Sequence, residues 1–399
     1  MSDTYARYAT LREEGPVQRV ATPLGGYAYV VLRYDDARAA LNDQRLSKHP
    51  KNAPAYLREA GIVTEDVGPL GVNMLASDPP DHTRLRRVVG RAFTPRRVES
   101  LRPRIQQITD DLLDALPVGE EIDLIGRFAF PLPVIVICEM LGVPAEDRDQ
   151  FRTWTRSMTI VPSTPERRQR REAGLAALGI YMSDLIALRR SEIDRTLPSE
   201  EQPDLISALI MATDDRGTLD EQELHGTLML LFIAGHETTV NLIGNGTLAL
   251  LRNRDQLDAL MADPGLLPSA VEELLRYDGP VERATFRTAV EDVEVGGVTI
   301  PSGSLVVVAL GSADRDPHRF DLPDKLDLAR KDNPHLAFGH GMHFCLGAPL
   351  ARLEGMVAFS SLFARFPGIR LAAPPEDLRM RPQEALMIFR GLEELPVRL

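Results

Sequence analysis

The sequence predicts a mainly α protein with a small β-rich part, and three observations carry that expectation. The stretch from about Thr218 to Arg252 reads as one unbroken helix, apolar almost all round from Leu228 to Leu251, and so buried. Phe338–Gly347 is a glycine-rich loop that turns into a helix at Ala348-Pro349-Leu350-Ala351-Arg352. The extended segments are short and lie beside glycine turns.

With 399 residues, 44% of them hydrophobic, the chain can bury one large core. It reads as a single domain over 1–399, with its β-rich part near 17–33, 287–310 and 382–399. The net charge of −12 argues against wholesale nucleic-acid binding. No signal-peptide core is present, and no apolar run reaches membrane-span length; Leu228–Gly235 is cut off by His236 and Glu237. Two cysteines, Cys138 and Cys345, make neither a disulfide framework nor a zinc spacing. The expectation is a cytoplasmic monomer with no nucleic-acid or membrane partner.

Residues 4–15 read as a short helix, and Gln18–Ala21 with Tyr27–Leu32 as a hairpin. Tyr34–Leu41 returns to helix. His49–Leu75 is irregular, with Pro50, Pro54, Gly61, Gly68, Pro69 and Gly71; such a segment is a functional loop or an ordinary surface loop. Asp78-Pro79-Pro80-Asp81 opens a helix on which His82 and Arg86, four apart, share a face. Arg84, Arg86, Arg87, Arg91, Arg96, Arg97, Arg102 and Arg104 form a basic run, which is solvated surface or a dock for an acidic partner. Ile105–Leu116, Ile122–Leu141 and Glu146–Met158 read as helical, the second starting properly near Pro131 and Pro133. Cys138 sits in an apolar run as a core residue. Thr159–Pro165 breaks the pattern, and helix resumes after Arg167-Arg168-Gln169-Arg170-Arg171. Thr218-Leu219-Asp220-Glu221 reads as a capping box for the long helix. Pro268–Tyr277 is a helix ended by Asp278-Gly279-Pro280, with Glu273 and Arg276 three apart. Val281–Arg287 is extended, Val293–Ile300 is a Gly-Gly hairpin, Ser304–Leu310 is a strand, and Ala385–Ile388 is a hairpin tip.

Two stretches carry chemistry. Cys345 stands where backbone N–H groups and a helix N-terminus favour a thiolate; it is a metal ligand, a nucleophile or a buried structural cysteine. The long helix holds Ala234-Gly235-His236-Glu237-Thr238-Thr239 in its apolar middle, where polar side chains are costly unless used. A zinc-protease helix would need histidine at 240, which is Val240. The polar set either kinks and caps the helix or serves oxygen chemistry. In the latter reading Ala234 and Gly235 remove bulk where O2 fits, Thr238 bonds the oxygen, and Glu237 connects it to bulk protons.

Phe338, Gly341, Cys345 and Gly347 match Phe-x-x-Gly-x-x-x-Cys-x-Gly, and the chain resembles the cytochrome P-450 family. Residues 234–239 resemble its Ala/Gly-Gly-x-Asp/Glu-Thr-Thr/Ser motif, Glu273 and Arg276 its Glu-x-x-Arg. Ala313-Asp314-Arg315-Asp316-Pro317 resembles its Ala-Asn-Arg-Asp-Pro, with Asp314 replacing asparagine. The motifs fall in the family's order. The resemblance implies a triangular helical body with the long central helix over the haem.

It implies haem b as cofactor, with Cys345 as the iron ligand. His82, Arg86, Ala234, Gly235, Arg287, Phe338, Gly339, His343 and Gly347 would bind the cofactor. Gly341 and Gly347 would let the backbone approach the porphyrin, and N–H groups around Leu346 and Gly347 would donate to the sulfur. Glu237 and Thr238 would be the acid–alcohol pair, with His236 in a variable position. Glu273 and Arg276 would support the cofactor loop. Val72, Met229, Phe232, Ile233, Thr285, Leu386 and Met387 would line an apolar substrate pocket. The segment at 159–165 would be a mobile lid. Arg87, Arg91 and Arg96 would receive a ferredoxin or flavodoxin. Gly339-x-Gly341 lacks a glycine at 344, so NAD(P)H is expected only on a separate reductase. The implied reaction is monooxygenation of a C–H bond in a macrolide, polyketide, steroid or similar molecule. Epoxidation, oxidative coupling or a haem-based sensor are the alternatives; a sensor has no need of the Glu237–Thr238 pair.

Overall fold

Asp220 starts the long helix. Its carboxylate accepts from the Glu223 N–H at 2.8 Å, and the Glu223 side chain accepts from the Asp220 N–H at 3.0 Å. The capping box thus lies two residues beyond Thr218, which is tied into a two-residue strand, Gly217–Thr218, paired with Thr213–Asp214. From there Glu221–Arg252 runs for 32 residues, about 48 Å. By length and composition it could cross a membrane, but 78% of its most apolar window is buried inside the protein.

The computed structural model describes residues 4–22, 25–60, 62–63, 70–147, 150, 153–154, 164–214, 217–381 and 388–399. Helices Pro131–Leu141, Pro165–Glu192, Leu267–Asp278 and Ala348–Arg365 pack around the central one. Small residues set the closest crossing. A Cβ on Gly355 would lie 3.2 Å from Leu242, and one on Gly246 would lie 2.5 Å from the Phe359 ring. The helices therefore meet in parallel register, 242 with 355 and 246 with 359.

Three expected elements change. Ile122–Leu141 is not one helix: Glu121–Asp123 is a strand, pairing with Pro396–Arg398, which also pairs with Arg370–Leu371. Asp123 ends the strand by accepting from the N–H groups of Ile125, Gly126 and Leu395. A π-helical turn, Ile125–Ala129, follows, and the helix proper starts at Pro131, where a missing N–H costs nothing. The helix after the break begins at Pro165, ahead of the arginine run, because the Thr164 hydroxyl caps it. His49–Leu75 holds short helical pieces, Pro50–Asn52, Ala55–Glu59 and the start of Met74–Ala76. Most of the expected helix at 146–158, the lid at 159–163 and the hairpin tip at 385–387 lie outside the described residues.

The β-rich part is a five-stranded sheet in the order Val17–Ala21, Tyr27–Val31, Leu305–Val308, Arg287–Ala289, Leu46–Ser47. Leu305–Val308 runs parallel to Tyr27–Val31 and the other pairs are antiparallel. Val293–Val295 and Val298–Ile300 form the expected hairpin across Gly296 and Gly297, both at positive φ.

Candidate active site

The cysteine loop closes on itself. The Cys345 N–H donates to the Phe338 carbonyl at 2.9 Å, Gly339 N–H to Leu336 O at 2.7 Å, and Phe344 N–H to Gly341 O at 3.0 Å. Gly339 and Gly341 take φ of +73° and +72°, which side chains resist. A Cβ on Gly341 would also strike Asn42, so this glycine serves the turn and its packing. Gly347 needs no such freedom; its Cβ would meet the Cys345 sulfur at 3.8 Å. The N–H groups aimed at the sulfur are those of Gly347 and Ala348, one position later than expected. Cys345 is exposed, yet closely surrounded by protein. That surrounding protein pushes the thiol up, against the Gly347 N–H, the Arg86 charge, the Ala348 N–H and Arg352. Coordination to a metal ion is what would deprotonate it outright.

Next to the cysteine loop, cations outnumber the carboxylate beside them, Asp78. His82, 3% exposed, stacks on His343 with ring centroids 4.3 Å apart. Neither His82 ring nitrogen has a hydrogen-bond partner among the described residues. Burial, then Lys48, His82, Arg287 and Arg86, push His343 down to about 2. Arg287, 3% exposed, is lowered to about 10 by burial. Lys48 was not anticipated. It is buried, its amine is held by the Thr285 hydroxyl, and burial followed by Arg287 lowers it well below its ordinary value. Nothing in the sequence near Lys48 marks it; only the strand pairing Ser47 with Thr288 brings it here.

The central helix turns its polar middle in two directions. Ala234 is exposed and Thr238 half-buried in the middle of a mostly buried helix, so they face open space. The Thr238 hydroxyl donates to Ala234 O at 2.9 Å. Thr238 precedes the Leu242 contact, and Cys345 precedes the Gly355 contact, so both lie on the same side of the crossing. Ile233, Val72 and Thr285 are also half-buried. Glu237 instead turns inward, pairing with Arg381. Gly235 does not clear space for O2: a Cβ there would stand 3.1 Å from Ile137 of the neighbouring helix. Phe232 (0% exposed) stacks on His236, and Met229 (5%) is core, so neither lines the expected pocket. Leu386 and Met387 lie outside the described residues.

Residues 150–387 match the family model "Cytochrome P450". Cytochrome P450 107B1 of Saccharopolyspora erythraea is 50% identical across 99% of this chain and 95% of its own length. The chain belongs to the cytochrome P450 family. The 6-deoxyerythronolide B hydroxylase of the same organism is 45% identical, covering 100% of this chain and 96% of its own. The tirandamycin C-bound structure of the P450 monooxygenase TamI matches at a TM-score of 0.88 and 44% identity, covering 100% of this chain and 99% of that one.

This P450 is a monooxygenase that uses haem-thiolate iron, O2, a substrate and redox partners. Its residues fit that cofactor. A thiolate-ligated haem iron needs one protein sulfur, and Cys345, exposed and supported by the Gly347 and Ala348 N–H groups, offers one. The His82 nitrogens, without partners among the described residues, and the cations Lys48, Arg86 and Arg287, in excess over the nearby carboxylate Asp78, suit carboxylates at the ring's edge.

Behind the loop the P450 has a fully used charge knot. Glu273 and Arg276 form a bidentate pair at 2.8 Å, both side chains 0% exposed. Arg276 also donates to Asp314 O and Pro323 O, and Glu273 accepts from Arg330, Asn333 and the Asp327 N–H. Asp314, the departure from asparagine, accepts from the Leu336 N–H at 2.6 Å; burial raises it to about 6. Glu272, beside the knot, joins the cysteine loop through Arg352 at 2.7 Å and His335 at 3.1 Å. Against burial, these two hold Glu272 down to about 2. In the basic run, Arg84, Arg97, Arg102 and Arg104 bond within the protein, and Arg91 also has an interaction there; Arg87, Arg91 and Arg96 are exposed.

Proposed function

We propose that this P450 inserts one oxygen atom of O2 into a C–H bond of a large apolar substrate of the macrolide or polyketide, steroid or similar kind. The observation that carries it is the placement of an exposed, N–H-supported cysteine and an exposed Ala234–Thr238 face on the same side of one helix crossing. Names of relatives support the substrate class: one hydroxylates 6-deoxyerythronolide B, and another was solved with tirandamycin C bound.

Haem b, when bound, supplies O2 binding and activation. The chain's own residues do the rest. Cys345 offers its sulfur as ligand, with the Gly347 and Ala348 N–H groups moderating its charge. His82, Arg86, Arg287, His343 and Lys48 would hold the propionates. Ala234 would leave room for O2. Thr238 presents a hydroxyl proton at Oγ1, and Glu237 resupplies it from solvent. Ile233, Val72 and Thr285 keep the substrate side largely apolar. Arg87, Arg91 and Arg96 meet an acidic ferredoxin or flavodoxin, whose reductase uses NAD(P)H. The setting is a cytoplasmic monomer.

The first test is the absorption spectrum of the reduced protein with carbon monoxide. A strongly red-shifted Soret band is expected; a band typical of histidine-ligated haem would remove Cys345 as ligand. Thr238→Ala is expected to divert reducing equivalents to peroxide, and unchanged coupling would remove Thr238 from the route.

A further inference from the structure

On its inward side the central helix carries a polar series that its apolar surroundings make conspicuous. Glu237, Asn241 and Asn245 recur every four residues, share one face, and are 4%, 2% and 1% exposed. All three are spent on the C-terminal segment. Glu237 Oε1 pairs with the Arg381 guanidinium and accepts from Asn241 Nδ2 at 3.4 Å. Asn241 stands against Gly391, where no Cβ would fit. Asn245 Nδ2 donates to the carbonyls of Arg390 at 3.0 Å and Asp278 at 3.2 Å. Arg381 is itself anchored: its N–H donates to Gly391 O at 2.8 Å and its Nε to Leu392 O at 3.1 Å.

The pair is asymmetric toward water. The Arg381 side chain is 28% exposed and that of Glu237 only 5%. The second carboxylate oxygen of Glu237 is buried and has no partner among the described residues. Among the described residues, His236 on the same helix is a titratable neighbour besides Arg381. Burial lowers His236, and its Nδ1 lies 2.9 Å from Phe232 O. Thr238, one residue on and about 100° round the helix, faces the open side.

We propose that Arg381 is a positioning residue for Glu237, supplying the counter-charge that holds this buried carboxylate on the helix and linking it to solvent on the C-terminal side, away from the substrate cavity. In that role a hydronium ion arriving from the Arg381 side protonates the Glu237 carboxylate and leaves as water, the guanidinium keeping its own protons; the neutral carboxyl then leaves the ion pair and gives that proton to Thr238 Oγ1 as the hydroxyl passes its own onward, which restores the carboxylate. No electron moves in this step. The inference rests on the reading of Glu237 and Thr238 as the proton route.

The test uses haem-loaded enzyme carrying Arg381→Lys, Arg381→Met, Glu237→Gln, or Arg381→Met with Glu237→Gln. Infrared titration follows the carboxylic-acid carbonyl band that Glu237→Gln deletes. A buried carboxylate stripped of its counter-charge favours the neutral form, so Arg381→Met should raise the midpoint by about one pH unit or more, tenfold in proton affinity, and Arg381→Lys by less. The second readout is the pH profile of peroxide formation with NADPH, a ferredoxin and its reductase, without added substrate. Arg381→Met should move that profile with the infrared midpoint, and should add nothing in the Glu237→Gln background. An unmoved midpoint overturns the assignment of Arg381, as does an Arg381→Met effect that persists in full in the Glu237→Gln background. A moved midpoint with a Glu237→Gln profile like that of the parent overturns the proton route itself.

Discussion

Two buried charge clusters flank the cysteine loop, and they are built on opposite terms. The Glu273–Arg276 knot is complete: each carboxylate oxygen and most guanidinium donors have partners, and the surrounding chain closes on it. The cradle of Lys48, His82, Arg86, Arg287 and His343 is lopsided: its cations outnumber the nearby carboxylate Asp78, and the buried His82 ring has no hydrogen-bond partner among the described residues. A balanced buried cluster is scaffold. An unbalanced one stores repulsion that only an anionic ligand relieves, and so marks where the ligand belongs.

Breaking the knot should have the largest effect. Arg276→Met leaves Glu273 buried without its bidentate partner, and a loss of about 3–5 kcal/mol is expected. Thermal denaturation of the haem-loaded protein checks it, and a fall in melting temperature of only a degree or two would demote the knot. The cradle should respond the other way round. Lys48→Met or Arg287→Met should weaken haem retention about 10–100-fold, as loss of a charged hydrogen bond does, while sparing the stability of the protein chain. Haem transfer to apomyoglobin measures this; unchanged transfer would exclude the residue from the cradle.

Asp314 sits between the two regimes, a carboxyl in the knot with one backbone partner on the loop. Its native value of about 6 lies above the ordinary 3.8, so the folded state binds the proton more tightly than the unfolded one. Its contribution to stability is therefore fully present below about pH 4 and is lost as pH rises through about 6. Asp314→Asn removes that loss but weakens the bond to Leu336. The expected net is about 1–2 kcal/mol of stabilisation at pH 7 and a flatter stability profile between pH 4 and 6. Denaturant unfolding at pH 4 and 7 tests it, and equal effects at both would sink the titration account. The smallest effect is expected at Gly235. Alanine gains about 1 kcal/mol of helix propensity and spends a similar amount displacing Ile137. Melting temperature and coupling should both hardly change; lost coupling at unchanged melting temperature would restore Gly235 to the oxygen site.

Much of this architecture was legible in the sequence because it depends on local chemistry. The long helix announced itself by unbroken apolarity, the hairpin by its glycine pair, and the cysteine loop by glycines that backbone geometry demands. Boundaries slipped where a side chain decided them from outside the local pattern. Asp123 ended a strand by binding Leu395, far along the chain, and Thr218 lost the cap to Asp220 because it was drawn into a strand. Helical apolarity also hid direction: Phe232 and Met229 suit a pocket by composition, yet they face the core.

The sequence alone therefore determined the class of fold, the thiol that stands ready for a metal, and the polar motif opposite it. Which way each polar group turns was decided only by tertiary structure. Thr238 and Glu237 are neighbours in the chain, but the 100° turn per helical residue sends one to the open face and the other to Arg381. Lys48, Asp78, Thr285 and Arg287 come from three separate stretches, and sheet pairing, not any motif, brings their charges and hydrogen bonds to one place. Local sequence encodes periodicity and turns, which depend on near neighbours; the balance of buried charge depends on residues hundreds of positions apart, and only the packed chain sums it.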